Sequence, residues 1–167
     1  MGPVGQHMRG KAHRDLDSDP EVSKDNSITF TYETTEKGVR RVLQSARACL
    51  TTMGLDEDFC GTAEIVLAEA LNNVAEHAYP GEAHGMARLR LRLTPDGCDF
   101  DLTDQGKPMP GLILPVGQLP PLAGPRPELP EGGFGWFLIR ALSDRLTYTR
   151  KNGTNHVHLR LPFTHGG

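Results

Sequence analysis

Eight prolines fall between Gly106 and Gly133, at positions 108, 110, 115, 120, 121, 125, 127 and 130. Proline fixes φ and lacks a backbone donor, so this stretch cannot be a helix or an interior strand. The 167 residues supply one sizeable core but not two ordinary domains, and residues 134–167 are too few for a second one. The segment is therefore a long loop inside one domain, a kind of loop that is usually functional or disordered. Prolines that restrict the backbone and terminal glycines that permit pivoting suit a semi-rigid lid, at about 107–133.

Regular elements are predicted on both sides of the loop. Residues 28–32 alternate β-prone side chains and predict a strand. Thr35 and Glu36 can open a helix that carries Val39, Val42, Leu43, Ala46 and Leu50 at helical spacing and closes at Gly54. Asp56 opens a second helix running to about Ala78, where Tyr79-Pro80-Gly81 turns the chain. Residues 86–93 and 98–102 predict a hairpin around Pro95-Asp96-Gly97. Beyond the loop come a short helix over 134–142 and strands over 145–150 and 156–162, joined at Asn152-Gly153. Residues 1–26 have almost no aliphatic pattern and are expected to form a disordered tail, leaving 27–165 as the domain. This order predicts an α+β two-layer sandwich, with helices on one face of a mainly antiparallel mixed sheet.

Composition narrows the function. A net charge of −3 and a pI near 6.1 provide no basic field for nucleic acid. No apolar run approaches the ~18 to 20 residues that span a bilayer, and no apolar signal core opens the chain, so a soluble, cytoplasmic protein without membrane contact is expected. Cys49, Cys60 and Cys98 are odd in number and lack CxxC spacing, which argues against a disulfide framework or a cysteine zinc site. His156 and His158 share a strand face without a third ligand, and Ser143-Asp144 lacks the glycines of a nucleophile elbow.

Three motifs carry chemistry. On the second helix, Leu67, Leu71, Val74 and Ala78 form an apolar stripe, and Glu69, Asn73, Glu76 and His77 lie opposite. Two consecutive asparagines, Asn72 and Asn73, weaken a helix interior, so something other than helix stability selects them. Glu69 and Asn73 are neighbours at i, i+4 and can act on one ligand. Asp104 ends a strand, where its carboxylate can accept from an exocyclic amine, and Gly106 lets the backbone approach a flat ring. Gly132-Gly133-Phe134-Gly135 places small residues and free N–H groups at the positive end of the next helix, which favours phosphate.

In this order, Glu69-x-x-x-Asn73-x-x-x-His77, Asp104-x-Gly106 and Gly133-x-Gly135-x-x-Leu138-Ile139-Arg140 resemble the N, G1 and G2 boxes of the ATPase superfamily of gyrase, the histidine kinases and the MutL repair proteins. The short chain and the run from Gly135 to Asp144 are most similar to the anti-sigma-factor serine/threonine kinases. The resemblance covers roughly residues 28 to 163 and implies the histidine-kinase-like ATPase (Bergerat) fold. It also implies an ATP- and Mg²⁺-dependent protein kinase that phosphorylates a small antagonist protein in a partner switch.

Carried over, Glu69 would be the general base, Asn73 the Mg²⁺ ligand, and His77 part of the nucleotide site. Asp104 would read the adenine amine and Gly106 make room for the base, while Gly133 and Gly135 would hold the lid hinge and the phosphates. Asn155 aligns where the family often has threonine near the adenine, and Pro108 stands where a second glycine is common. Arg140 and Lys107 are candidates to contact phosphates or acidic groups of the lid. The helix with Arg40, Arg41 and Arg47 would form the surface for a homodimer and for partners, a sigma factor among them. Two other readings stand beside the kinase: a non-catalytic ATP-dependent binding or regulatory module, which has no need of Glu69, and a histidine-kinase-type ATPase, which would need an upstream phosphoacceptor hairpin.

Overall fold

A computed structural model describes residues 19–81, 83–117 and 133–164. Six strands form one sheet: β1 (Glu21–Val22), β2 (Ile28–Glu33), β3 (Met86–Thr94), β4 (Gly97–Asp104), β5 (Arg145–Lys151) and β6 (Thr154–Pro162), in the order β1-β2-β3-β4-β6-β5. Every described pairing is antiparallel, so the expected mixed character is absent from the described strands. Helices α1 (Glu36–Thr52), α2 (Glu57–Asn73) and α3 (Gly133–Leu142) complete an α+β sandwich.

Local chemistry sets the helix starts. The Thr35 hydroxyl accepts from the Gly38 N–H at 3.0 Å, and Asp56 Oδ1 accepts from the Phe59 N–H at 2.8 Å, each satisfying a donor that the first turn leaves open. Val39, Val42, Ala46 and Leu50 bury one stripe of α1; Ala63, Val66, Leu67, Ala70 and Leu71 bury one of α2. Each fully buried leucine or valine contributes about 1.5–3 kcal/mol of transfer free energy. The sheet answers with Phe30, Leu89, Leu91, Phe100, Leu102, Val157, Leu159 and Leu161, alternate residues on four strands.

The opposite sheet face is ionic. Arg92 donates to Asp99 at 2.8 Å, His158 Nδ1 lies 2.7 Å from Asp101, and Arg160 binds Asp144 through two nitrogens. His158 is thus engaged with a carboxylate, and the described residues hold no group of three or more His, Cys, Asp or Glu side chains suited to a metal.

Several expectations change. Residues 1–18 lie outside the described residues, but within the segment read as a tail Glu21 and Val22 pair with Thr29 and Ile28, and Asp25 ties the following turn to Ser27 and Arg90. Two residues without an apolar pattern leave no periodic signal; the sheet edge and Arg90 recruit them. The basic side of α1 is largely paired within the molecule: Arg40 with Glu36, and Arg47 with both Glu57 and Glu64. Of the segment read as a lid, 118–132 lie outside the described residues. Its first part is anchored: Lys107 N–H donates to the Ala78 carbonyl, and Arg140 donates to the carbonyls of Leu114 and Pro115. Arg140 therefore holds the loop backbone. No described helix is long and apolar enough to cross a membrane.

Candidate nucleotide site

The end of α2 shapes the site. After Asn73 the helix widens into one π-type turn, Val74–Ala78, before Tyr79 leaves helical geometry. Such turns interrupt the regular i→i−4 ladder and often accompany functional sites. The Ala78 carbonyl is then free to accept from Lys107, and Gly106 packs so closely on Ala78 that a β-carbon would stand 2.5 Å from that carbonyl oxygen. Gly106 thus brings the end of β4 against the end of α2.

Between these ends lies a cavity of about 680 Å³, mostly apolar, with a few convergent polar groups. That is the usual character of a small-molecule site. Asn73, His77, Asp104, Gly133 and Asn155 all line it, from four elements and the π turn. Glu69, Gly106 and Gly135 flank it without lining it. Glu69 is one turn before Asn73 on α2, with its carboxylate against Gly135 on α3.

Asp104 is only 5% exposed although it carries a charge. Its Oδ1 accepts from the Gly106 N–H at 2.8 Å and from Asn155 Nδ2 at 2.9 Å. Among the described residues no donor reaches Oδ2, which leaves one oxygen for an incoming donor. A transverse row across the sheet sets this place: Tyr32 pairs with Ala87, Ala87 with Asp104, Asp104 with Asn155, and Asn155 with Arg150. Burial drives the Tyr32 hydroxyl well above its ordinary pKa, and the charge of Asp104 adds to the effect. Tyr79 is shifted upward as well, first by burial and then by Asp104, while its hydroxyl accepts from the Gln105 N–H.

Asn73 is 8% exposed, and its Nδ2 is buried with no partner among the described residues. An orphaned amide in a cavity wall costs about 1–3 kcal/mol unless a ligand shell satisfies the group. The amide oxygen is neither buried without a partner nor hydrogen-bonded among the described residues, and so can serve as an acceptor or metal ligand. With no cluster of acidic ligands among the described residues, a cation held by them would take most of its oxygens from phosphate and water, as Mg²⁺ commonly does.

Four lining or bracing residues escaped the sequence reading: Tyr79, Trp136, Tyr148 and Arg150. The alternation Leu146-x-Tyr148-x-Arg150 was the available signal, since it puts the last two on the core-facing side with Leu146.

Residues 32–161 match a family model described as the histidine kinase-like ATPase domain. The chain is 29% identical over 134 residues to the serine-protein kinase RsbW of Halalkalibacterium halodurans, covering 79% of this chain and 81% of that protein. It is 34% identical over 92 residues to the serine/threonine-protein kinase BtrW of Bordetella bronchiseptica, 54% of this chain and 62% of that one. The RsbW of Oceanobacillus iheyensis is 28% identical over 122 residues, 70% and 73% of the two chains. Among solved structures, the RsbU and RsbW domains of a Mycobacterium tuberculosis protein superpose with a TM-score of 0.55 at 17% identity. That match covers 81% of this chain and spans about a third (32%) of the other, and it speaks for the fold.

Proposed function

This chain belongs to the histidine kinase-like ATPase domain family, and from that membership we propose that it is an ATP-dependent protein serine/threonine kinase of the anti-sigma-factor type. Its substrate is a hydroxyl side chain on a small antagonist protein. One observation carries the reading: Asn73, Asp104 and Gly133 converge on one largely apolar cavity, with Glu69 a single turn from Asn73. The names of the relatives support the same activity.

Each residue has a physical task. Asp104 accepts the adenine amine on Oδ2, and the apolar wall with Trp136 and Val157 buries the ring. Gly133 opens α3, whose first-turn N–H groups have no acceptor within the helix and whose positive end favours phosphate. Asn73 would hold Mg²⁺ through its amide oxygen, and the ion when bound would neutralise charge on the phosphates. Glu69 takes the proton from the attacking hydroxyl; that oxygen bonds to the γ-phosphorus as the bond to ADP breaks. Phosphoryl transfer asks a protein chiefly for such positioning and charge stabilisation.

One observation favours a second reading, a nucleotide-dependent binding module: Glu69 flanks the cavity without lining it. The discriminating experiment is transfer of labelled γ-phosphate to proteins that co-purify with the chain. Label on a serine or threonine of such a partner supports the kinase; tight ATP binding without any transfer supports the module.

A further inference from the structure

Asn155 is held at both ends of its amide. Its Oδ1 accepts from the Tyr148 hydroxyl at 2.8 Å and from Arg150 Nη1 at 2.6 Å. Its Nδ2 donates to Asp104 Oδ1 at 2.9 Å and to the Lys107 carbonyl at 2.9 Å. A flipped amide would aim N–H at a guanidinium and its oxygen at a carboxylate, so two donors on one side and two acceptors on the other permit one orientation only. Both amide hydrogens are spent within the protein. Asn155 therefore offers no donor to a ligand.

The tyrosine hydroxyl is directed too. It accepts from the Met109 N–H at 3.1 Å, so its own proton goes to Asn155. Arg150 Nη1 also donates to the Gly106 carbonyl at 3.0 Å, which fixes the loop just after Asp104. Asn155 stands between Arg150 and Asp104 in the transverse strand row. Without that neutral amide, guanidinium and carboxylate could pair through both carboxylate oxygens, as such pairs tend to do.

We propose that Tyr148 and Arg150 are positioning residues for base specificity: they lock the amide of Asn155, which occupies Asp104 Oδ1 and leaves Oδ2 as a single, oriented acceptor for a purine bearing an exocyclic amine. The inference rests on reading the cavity as an adenine-nucleotide site. It assigns the discrimination between amino- and oxo-purines to two side chains of β5. The amine-bearing base gains a charge-assisted hydrogen bond, and an oxo base would face the carboxylate with a second acceptor.

The test is calorimetry of the full chain with ATP and with inosine triphosphate, which has oxygen in place of the amine. Wild type is expected to favour ATP by about 10-fold or more. The Tyr148→Phe, Arg150→Met double variant should bring the two affinities to within about 3-fold, mainly by weakening ATP. Tyr148→Phe alone keeps the ring and removes one oxygen, so the test survives if the double variant does not fold; its ratio should fall part of the way. A Tyr148→Phe ratio equal to that of wild type overturns the proposal, as does a wild type that binds both nucleotides equally. Wild type binding neither would contradict the nucleotide reading itself.

Discussion

A β-carbon on Gly135 would overlap the carboxylate of Glu69: Oε2, Cδ and Cβ of Glu69 are the three atoms nearest to where it would stand. The glycine that follows the opening of α3 thus makes room for the proposed base. Gly135 lies inside α3 and is not among the glycines with positive φ, so alanine fits the backbone and should even favour the helix, by about 1 kcal/mol. Any functional loss must come through the displaced glutamate. Gly135→Ala should keep its melting temperature and its ATP affinity, while phosphoryl transfer falls by about 10- to 100-fold, the scale set by misplacing a catalytic group by an ångström. Transfer at the wild-type rate would show that Glu69 tolerates displacement.

Asp104→Asn keeps the shape of the buried acceptor and removes its charge. The lost charge-assisted hydrogen bond should weaken ATP by about 1.5 to 3 kcal/mol, roughly 10- to 150-fold in affinity. Calorimetry measures this directly, and an unchanged affinity would take Asp104 out of the base-binding wall.

Asn73→Ala separates the metal from the base. The orphaned Nδ2 disappears with the side chain, so stability should hold or rise slightly. ATP affinity measured with magnesium should approach the value measured with a chelator present. If magnesium still strengthens binding to the variant as it does to wild type, the amide oxygen is not a ligand.

How much of this was legible in the residues depends on periodicity. Helices and hairpins followed from regular spacing, caps and Pro-Asp-Gly or Asn-Gly turns, and the observed boundaries of β3, β4 and β5 differ by no more than two residues from those expected. The strand at Glu21 was invisible because two residues carry no period. The bracing of Asp104 was also hidden: Tyr148 and Arg150 act through Asn155, and the pairing register that brings them together is a long-range property of the sheet. Arg47 of α1 looked like an unpaired basic group in isolation because its partners Glu57 and Glu64 belong to the next helix.

The only tryptophan of the chain, Trp136, is buried in the cavity wall. Its emission should respond to nucleotide, giving a saturable signal whose midpoint matches the calorimetric affinity. Emission indifferent to ATP at saturating concentration would place the ligand away from α3.

Cys98 makes a pH prediction. Burial pushes its thiol up to about 12 from an ordinary 9.0, and Cys60 is likewise buried, while Cys49 is partly accessible. The folded pKa of Cys98 lies above the unfolded one, so its contribution to stability is fully present below about pH 9 and is lost as pH rises from there toward 12. Alkylation at pH 8 followed by mass spectrometry should label Cys49 first, and Cys60 and Cys98 only on unfolding. Rapid native labelling of Cys98 would contradict its place in the core.

The central claim is that Glu69 serves as the base for transfer to a protein hydroxyl and has little part in nucleotide binding. The most direct test compares wild type and Glu69→Gln for the rate of γ-phosphate transfer to a co-purified partner, with ATP affinity measured on the same samples. The account predicts nearly equal affinities and a transfer rate lower by about 10² or more in the variant. Transfer at the parental rate by Glu69→Gln would contradict it.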